Sequence, residues 1–122
     1  MHIKLAIVVL CFIALDVITG LIAALKNHTY KSEVMRQGLF HKCGEILAIG
    51  FAYGCEYAFP IVGISISVPL AGSVLIYIII METGSILENI SLVSPEIKAI
   101  LRKTFSSYTY TDTETSEETK GD

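Results

Sequence analysis

Apolar and polar residues along the chain separate into three long apolar stretches, a short amphipathic stretch and a polar end. The first stretch is Leu5–Leu25, an apolar run interrupted by one carboxylate, Asp16, and bracketed by Lys4 and Lys26. A helix of this length rises about 30 Å, which is the thickness of the hydrocarbon core of a bilayer. A carboxylate at that depth costs about 2.5–3.5 kcal/mol, which the apolar neighbours offset. The stretch therefore predicts a membrane-spanning helix with an ionisable group inside the bilayer.

Two other kinds of segment share features with this first stretch. A secretory signal peptide has a charged start and an apolar run, but here the run is long, contains an acid and is followed by further apolar segments. A buried helix of a soluble domain is disfavoured by composition. The chain is 52% hydrophobic and 17% charged, with a mean hydropathy of +0.61, whereas soluble domains average about 25% charged residues. Composition therefore favours a membrane protein.

The first predicted span has one polar face. Asp16, Thr19, Gly20 and Ala23 follow the spacing i, i+3, i+4 and i+7, which places them on the same side of a helix. In lipid, a stripe of small and polar residues marks the side that meets another helix or water. The stripe is compatible with packing inside a small monomeric bundle and with an assembly face between copies.

A second span is predicted over about residues 44–62. It holds Glu45 and Glu56, whose spacing brings them within about 20° of each other on one stripe. Gly50 and Gly54 form a GxxxG motif on the opposite side, and such motifs let helices approach closely in lipid. One GxxxG is a weak signal alone, but with the opposed acidic stripe it predicts two distinct partner faces.

A third span is predicted over about residues 66–83, after a turn that contains Pro and Gly. Its apolar core is followed by Glu82, Ser85, Glu88 and Asn89. These side chains are polar enough for the chain to emerge at the membrane interface. We therefore expect the third span to end near Glu82.

The C-terminal part changes composition twice. Ser94-Pro95-Glu96 is a helix start, with a capping residue, a proline at the first position and an acid next. It predicts an amphipathic helix over 95–105 on the membrane surface. Residues 106–122 are mainly Ser, Thr and acid and cannot bury enough apolar surface to fold, which predicts a disordered acidic tail. The fold class is therefore all-α integral membrane, with a three-span domain over 1–105 and this tail.

Basic residues are distributed unevenly between the two sides of a three-span arrangement. The N-terminus and the second loop carry one Lys or Arg, and the first loop and C-terminal region carry eight. Because basic residues concentrate in cytoplasmic loops, the N-terminus is expected outside and the C-terminus in the cytoplasm. The residues expected to contact the membrane surface are Lys31, Arg36, Lys42, Lys98, Arg102 and Lys103.

Candidate chemistry is sparse. The three cysteines form no CxxC, no His stands at metal-ligand spacing, and neither a Gly-rich phosphate loop nor a Ser–base pair is present. We therefore expect no enzyme activity, no cofactor, no metal and no nucleic acid. Asp16 and Glu56, with Glu45 and Glu82 nearer the membrane edges, are the functional candidates. Three short helices cannot enclose a wide pore, so any permeability requires many copies.

Linked motifs resemble a known family, the lysis and toxin-secretion holins of Gram-positive bacteria and their phages. The first half of that family is similar to Leu15-Asp16-Val-Ile-Thr19-Gly20 and a following basic loop with Ser32, Gly38 and Lys42. Its C-terminal signature is similar to Tyr77, then Glu82-x-x-Ser85-Ile86-x-Glu88-Asn89, then Pro95 before a basic amphipathic helix. The resemblance covers about residues 5–105.

The resemblance implies a small protein of the bacterial cytoplasmic membrane that accumulates harmlessly and then oligomerises into lesions. A cytosolic endolysin, or a toxin without a signal peptide, escapes through them, so the implied partners are lipid, further copies and cargo. The family's N-out, C-in arrangement agrees with the charge count. Its tails are usually short and basic, whereas this chain ends acidic, so a regulatory tail charge does not carry over. An accessory membrane subunit and an antiholin remain the alternatives.

Overall fold

A computed structural model describes residues 3–104 of the chain, and this part folds as helices joined by short turns. No strand occurs among these described residues. The helices are α1 (Ile3–Lys26), α2 (Ser32–Ile61), α3 (Leu70–Val93) and α4 (residues 95–104). The predicted all-helical architecture is confirmed over this range. The tail predicted over 106–122 and the last residue of the predicted surface helix lie outside it.

Two of the helices are longer than the sequence pattern predicts. The basic amphipathic stretch after the first turn and the second predicted span form one continuous helix, α2. Helix α3 does not end near Glu82, because Ile78, Glu82 and Ile86 are spaced by one turn and all face the interior. The buried stripe therefore continues, and α3 extends to Val93.

Two helices in the described part of the chain are long and apolar enough to cross a membrane, α1 and α3. Only 17% of the apolar window of α1 and 33% of that of α3 are buried inside the chain. A core helix of a soluble protein would be mostly covered. Helix α2 is less apolar because charged residues interrupt it.

The three long helices alternate in direction. Val9 in α1 packs against Leu75 in α3, and further along both helices Asp16 lies beside Asn89. Helices α1 and α3 are therefore parallel. The last turns of α2 lie beside the first turn of α3, so α2 runs antiparallel to both. It follows that α2 returns the chain across the distance that α1 and α3 cover.

The ends of α1 and α2 show the hydrogen bonds of left-handed helix caps. After α1, His28 has a φ of 54°, and the Thr29 N–H donates to the Ala24 carbonyl at 2.9 Å. After α2, Gly63 has a φ of 78°, a conformation that glycine adopts without the steric cost of a Cβ. Both caps satisfy carbonyls that a helix end would otherwise leave without donors.

The end of α1 and the turn after it also cap α3. The Lys26 ammonium donates to the Val93 carbonyl, and Asn27 Nδ2 donates to the Leu92 carbonyl at 3.5 Å. A lysine at this position complements the partial negative charge of the helix C-terminus. These contacts hold the C-terminal ends of α1 and α3 at the same level.

The interior of the chain is small and its outer surface is apolar. The buried apolar cluster consists of Val9, Ile13, Leu75 and Ile78. Large apolar side chains outside it are well exposed on all three long helices, among them Ile7, Leu47, Phe51, Tyr57 and Ile80. Continuous exposed apolar surface of this kind requires lipid or other protein against it.

Candidate functional site

One lysine lies at the centre of three carboxylates inside the bundle. Lys42 Nζ is 2.7 Å from Asp16 Oδ2 and 3.4 Å from Glu45 Oε2, and it donates to Glu82 Oε1. Its side chain is 12% exposed, and that of Glu82 is 2% exposed. All three long helices contribute to this group. We call these four residues, Asp16, Lys42, Glu45 and Glu82, the ionic cluster.

Asn89 extends the ionic cluster along the interface between α1 and α3. Its Nδ2 donates to Asp16 Oδ1 at 3.0 Å and to Thr19 Oγ1 at 3.1 Å. The Thr19 hydroxyl in turn donates to the Leu15 carbonyl at 2.9 Å. A Cβ at Gly20 would lie 3.3 Å from Asn89 Nδ2, so glycine leaves room for the amide. The polar stripe of α1 is therefore the face that contacts α3.

The electrostatics of the ionic cluster are unbalanced. One ammonium group faces three carboxyl groups, and it donates to Glu82 and contacts Asp16 closely while Glu45 Oε2 lies 3.4 Å away. Two carboxyl oxygens, Glu45 Oε2 and Glu82 Oε2, are buried and accept no hydrogen bond. Buried charges in proteins are normally paired and hydrogen-bonded, because an isolated one is strongly disfavoured.

The position of Lys42 corrects an expectation from the sequence. The lysine was expected at the membrane surface with Lys31 and Arg36, whereas it points into the bundle. The physical reason is that Asp16 and Glu82, both buried, need a compensating cation, and the Lys42 ammonium contacts both of them. The sequence signal that could have found it is the i, i+3 spacing of Lys42 and Glu45 beside two other intramembrane acids.

Glu56 lies at the opposite end of α2 and has a different role. Its Oε1 accepts a hydrogen bond from the Ala71 N–H at 2.8 Å, in the first turn of α3. Pro69, at the N-cap position of α3, makes no side-chain capping bond. Glu56 therefore supplies from a neighbouring helix the acceptor that a capping residue usually provides. Like Glu45, it faces α3.

The GxxxG motif of α2 faces away from the rest of the chain. Cβ atoms built at Gly50 and Gly54 would meet nothing within 4 Å. Both glycines are exposed, and so are Leu47 and Phe51 beside them. No contact within the described chain therefore uses the close approach that this motif permits.

The remaining predicted residues lie around the ionic cluster or at the surface. Ser85 lines a groove of about 340 Å³ between α1 and the first half of α2, which Asp16, Lys42 and Asn89 also line. Glu88 is exposed on α3. The other residues expected at the membrane surface are all exposed, at the start of α2 or in α4, namely Lys31, Arg36, Lys98, Arg102 and Lys103.

Residues 3–104 contain no group of His, Cys, Asp and Glu side chains arranged to hold a metal ion. Within the same range, Cys11, Cys43 and Cys55 are free thiols. The contacts of the ionic cluster are ion pairs that join side chains of all three long helices.

These features define a class of protein, a small helical bundle with apolar outer helices and an ionic interior, as in integral membrane proteins. The model of the bacteriophage holin family matches residues 2–109. The chain therefore belongs to the bacteriophage holin family, which confirms the resemblance carried by its motifs. Family membership and the two apolar helices indicate a membrane protein. No curated protein and no solved structure matches the chain.

Proposed function

We propose that this chain is a holin that collects in the bacterial cytoplasmic membrane and opens lesions there by homo-oligomerisation. The observation that carries the proposal is the family match over residues 2–109. The exposed apolar surface of all three long helices supports it, since that surface suits both lipid and further copies. The cargo is a cytosolic protein, an endolysin or a toxin, that needs no specific contact with the lesion.

Three membrane spans are part of the proposal. Helices α1 and α3 have the length and composition of spans, and they are parallel. If both cross the bilayer in the same direction, α2 has to cross it in the other. The charges that lower the hydropathy of α2 include Lys42 and Glu45, which are paired inside the bundle and do not face lipid. Pairing of this kind reduces the cost of inserting charged residues.

The charge distribution supports an outside N-terminus and a cytoplasmic C-terminus. With Lys42 assigned to the interior, one Lys or Arg remains on the first side and seven remain on the other. The test is a Lys120→Cys variant without the three native cysteines, treated with an impermeant thiol reagent on intact spheroplasts. We expect labelling only after the membrane is permeabilised. Labelling of intact spheroplasts would contradict the orientation.

Assembly is proposed to use the exposed GxxxG face of α2. Leucine at both Gly50 and Gly54 would hold neighbouring backbones apart and should weaken cross-linked oligomers. Gly44→Leu is the matched control, because a Cβ at Gly44 also meets nothing within 4 Å and Gly44 lies about 100° around the helix from this face. Equal cross-linking ladders in wild type, double variant and control would exclude this face as the contact.

Lesion opening is proposed to expose polar faces that are paired in the single chain. Three helices surround no aqueous channel, so a hole for a folded protein has to be lined by many copies. In such an assembly the faces that carry Asp16, Thr19 and Glu45 would turn toward water. Hydration would then replace the contacts of the ionic cluster.

The functional test is inducible expression of the chain alone in cells that contain a cytosolic reporter enzyme. A holin stops growth abruptly at a defined time and lets the reporter reach its substrate outside the membrane. An accessory subunit would do neither, and an antiholin would delay lysis by a co-expressed holin. The Gly50→Leu/Gly54→Leu variant, at matched protein level, should delay or abolish release, and Gly44→Leu should behave like wild type.

A further inference from the structure

The positive and negative charges of the ionic cluster do not balance. Lys42, with a single positive charge, contacts three carboxyl groups. If Asp16, Glu45 and Glu82 were all ionised, one positive charge would face three negative charges, leaving a net charge of −2. Their side chains are at most 10% exposed, so water compensates little of this charge. Uncompensated charges at such a site are strongly disfavoured.

Two of the same carboxyl groups each have a buried oxygen that accepts no hydrogen bond. Glu45 Oε2 and Glu82 Oε2 are buried acceptors without a donor. The two carboxyl groups lie within hydrogen-bond reach of each other. Two ionised carboxylates repel, whereas one carboxyl and one carboxylate can share a hydrogen bond. A single added proton would therefore reduce the net negative charge by one and supply a donor between the two carboxyl groups.

We propose that Glu45 and Glu82 form a proton-binding site that holds one shared proton at neutral pH. The charged and titratable groups that face it are Asp16 from α1 and His41 and Lys42 from α2, while α3 contributes Glu82 itself. The two oxygens of Asp16 are already occupied, one by the Lys42 ammonium and one by the Asn89 amide, so Asp16 is not part of this pair. With the proton bound, the net charge of the ionic cluster is −1 instead of −2.

His41 connects this site to water. Its Nε2 is 3.2 Å from Glu45 Oε1, and its side chain is 69% exposed while that of Glu45 is 10% exposed. In the transfer, the Nε2–H bond of protonated His41 breaks as an O–H bond forms on Glu45, and the neutral ring takes another proton from water. Glu45 then passes its proton to the Glu82 carboxylate. The site exists in the folded chain whether or not the chain opens lesions.

The experiment is infrared spectroscopy of the purified full chain in lipid nanodiscs at neutral pH. At frequencies above the amide bands, only a protonated carboxyl gives a carbonyl stretch that shifts in D2O. We expect this band in wild type and its loss in Glu82→Gln and in Glu45→Gln, since each variant reaches the same net charge without a proton. Glu33→Gln, exposed in the first turn of α2, should keep the band. A band that persists in both cluster variants, or is missing from wild type, overturns the proposal.

Two further measurements cover variants that fail to fold. In wild type alone, alkaline titration should remove the band as one proton is released per chain, and a band that is insensitive to pH overturns the proposal. In His41→Ala the band should remain, but its exchange on transfer into D2O should be at least tenfold slower than in wild type. Equal exchange rates would overturn His41 as the route.

Discussion

Removing the lysine of the ionic cluster is the most direct test of its structural role. In Lys42→Met the side chain keeps nearly its length but loses its charge, and three carboxyl groups from three helices lose their common cation. The variant should therefore destabilise the contacts between the helices more than the helices themselves. The measured quantity is the free energy of unfolding in mixed detergent micelles.

Two independent arguments give the expected size of the loss. Breaking a buried ion pair by removing one partner costs about 3–5 kcal/mol. The acids can instead take up protons, and neutralising one carboxyl with an ordinary pKa of about 4 at pH 7 costs about 4 kcal/mol. The cost of protonation is an upper limit on the stability lost per acid, because an unpaired carboxylate can always take up a proton instead of staying charged. We therefore expect Lys42→Met to lose about 3–4 kcal/mol.

The assay is SDS titration followed by circular dichroism, which reports the population of unfolded chains. Lys31→Met is the matched control, because Lys31 is exposed and should change the unfolding free energy by less than about 0.5 kcal/mol. Adding Asp16→Asn to Lys42→Met should recover at least about 1 kcal/mol, since the amide removes one unpaired charge. A loss below about 1 kcal/mol in Lys42→Met, or strict additivity in the double variant, would refute the reasoning.

Three further changes test other parts of the structure. Glu56→Ala should lower the unfolding free energy by about 0.5–2 kcal/mol through the lost cap of α3, whereas Glu56→Gln, which keeps an acceptor oxygen, should lose less; equal losses in SDS titration would exclude the capping role. His28→Gly should raise the unfolding free energy by a few tenths of a kcal/mol or more, because residue 28 has a left-handed φ, and a decrease in the same titration would contradict this. Asp16→Asn should still insert but shift the time of lysis and its response to an uncoupler, measured at matched protein level, and a normal schedule would mean that the acid only packs.

The sequence predicts a residue's position best where helical spacing alone determines which side of a helix the residue occupies. The stripe of Asp16, Thr19 and Gly20 follows from helical spacing within one apolar run, and it is the face that meets α3. The outward position of Gly50 and Gly54 follows from the same rule, because Glu45 and Glu56 occupy the other side of α2.

Lys42 could not be placed by such a rule, because its position depends on partners in other helices. Its neighbours in sequence group it with Lys31 and Arg36 on a basic amphipathic stretch. Its interior position results from ion pairs with Asp16 and Glu82, which lie in other helices. The full length of α3 was missed for a related reason. A run of polar residues after Glu82 suggests emergence from the membrane when read alone, whereas in the bundle Asn89 is bonded to Asp16.

The contact between Asp16 and Asn89 has a consequence for biosynthesis. The two residues are 73 positions apart, and a ribosome that adds about 5–20 residues per second needs about 4–15 s to cover that distance. Throughout this interval the Asp16 carboxylate exists without the Asn89 amide that donates to it. Of the two side chains that bind the Asp16 carboxylate, Lys42 is made before Asn89, so its ammonium can pair with the acid while the chain is incomplete. The order of residues along the chain thus matches the order in which an unfinished membrane protein needs them.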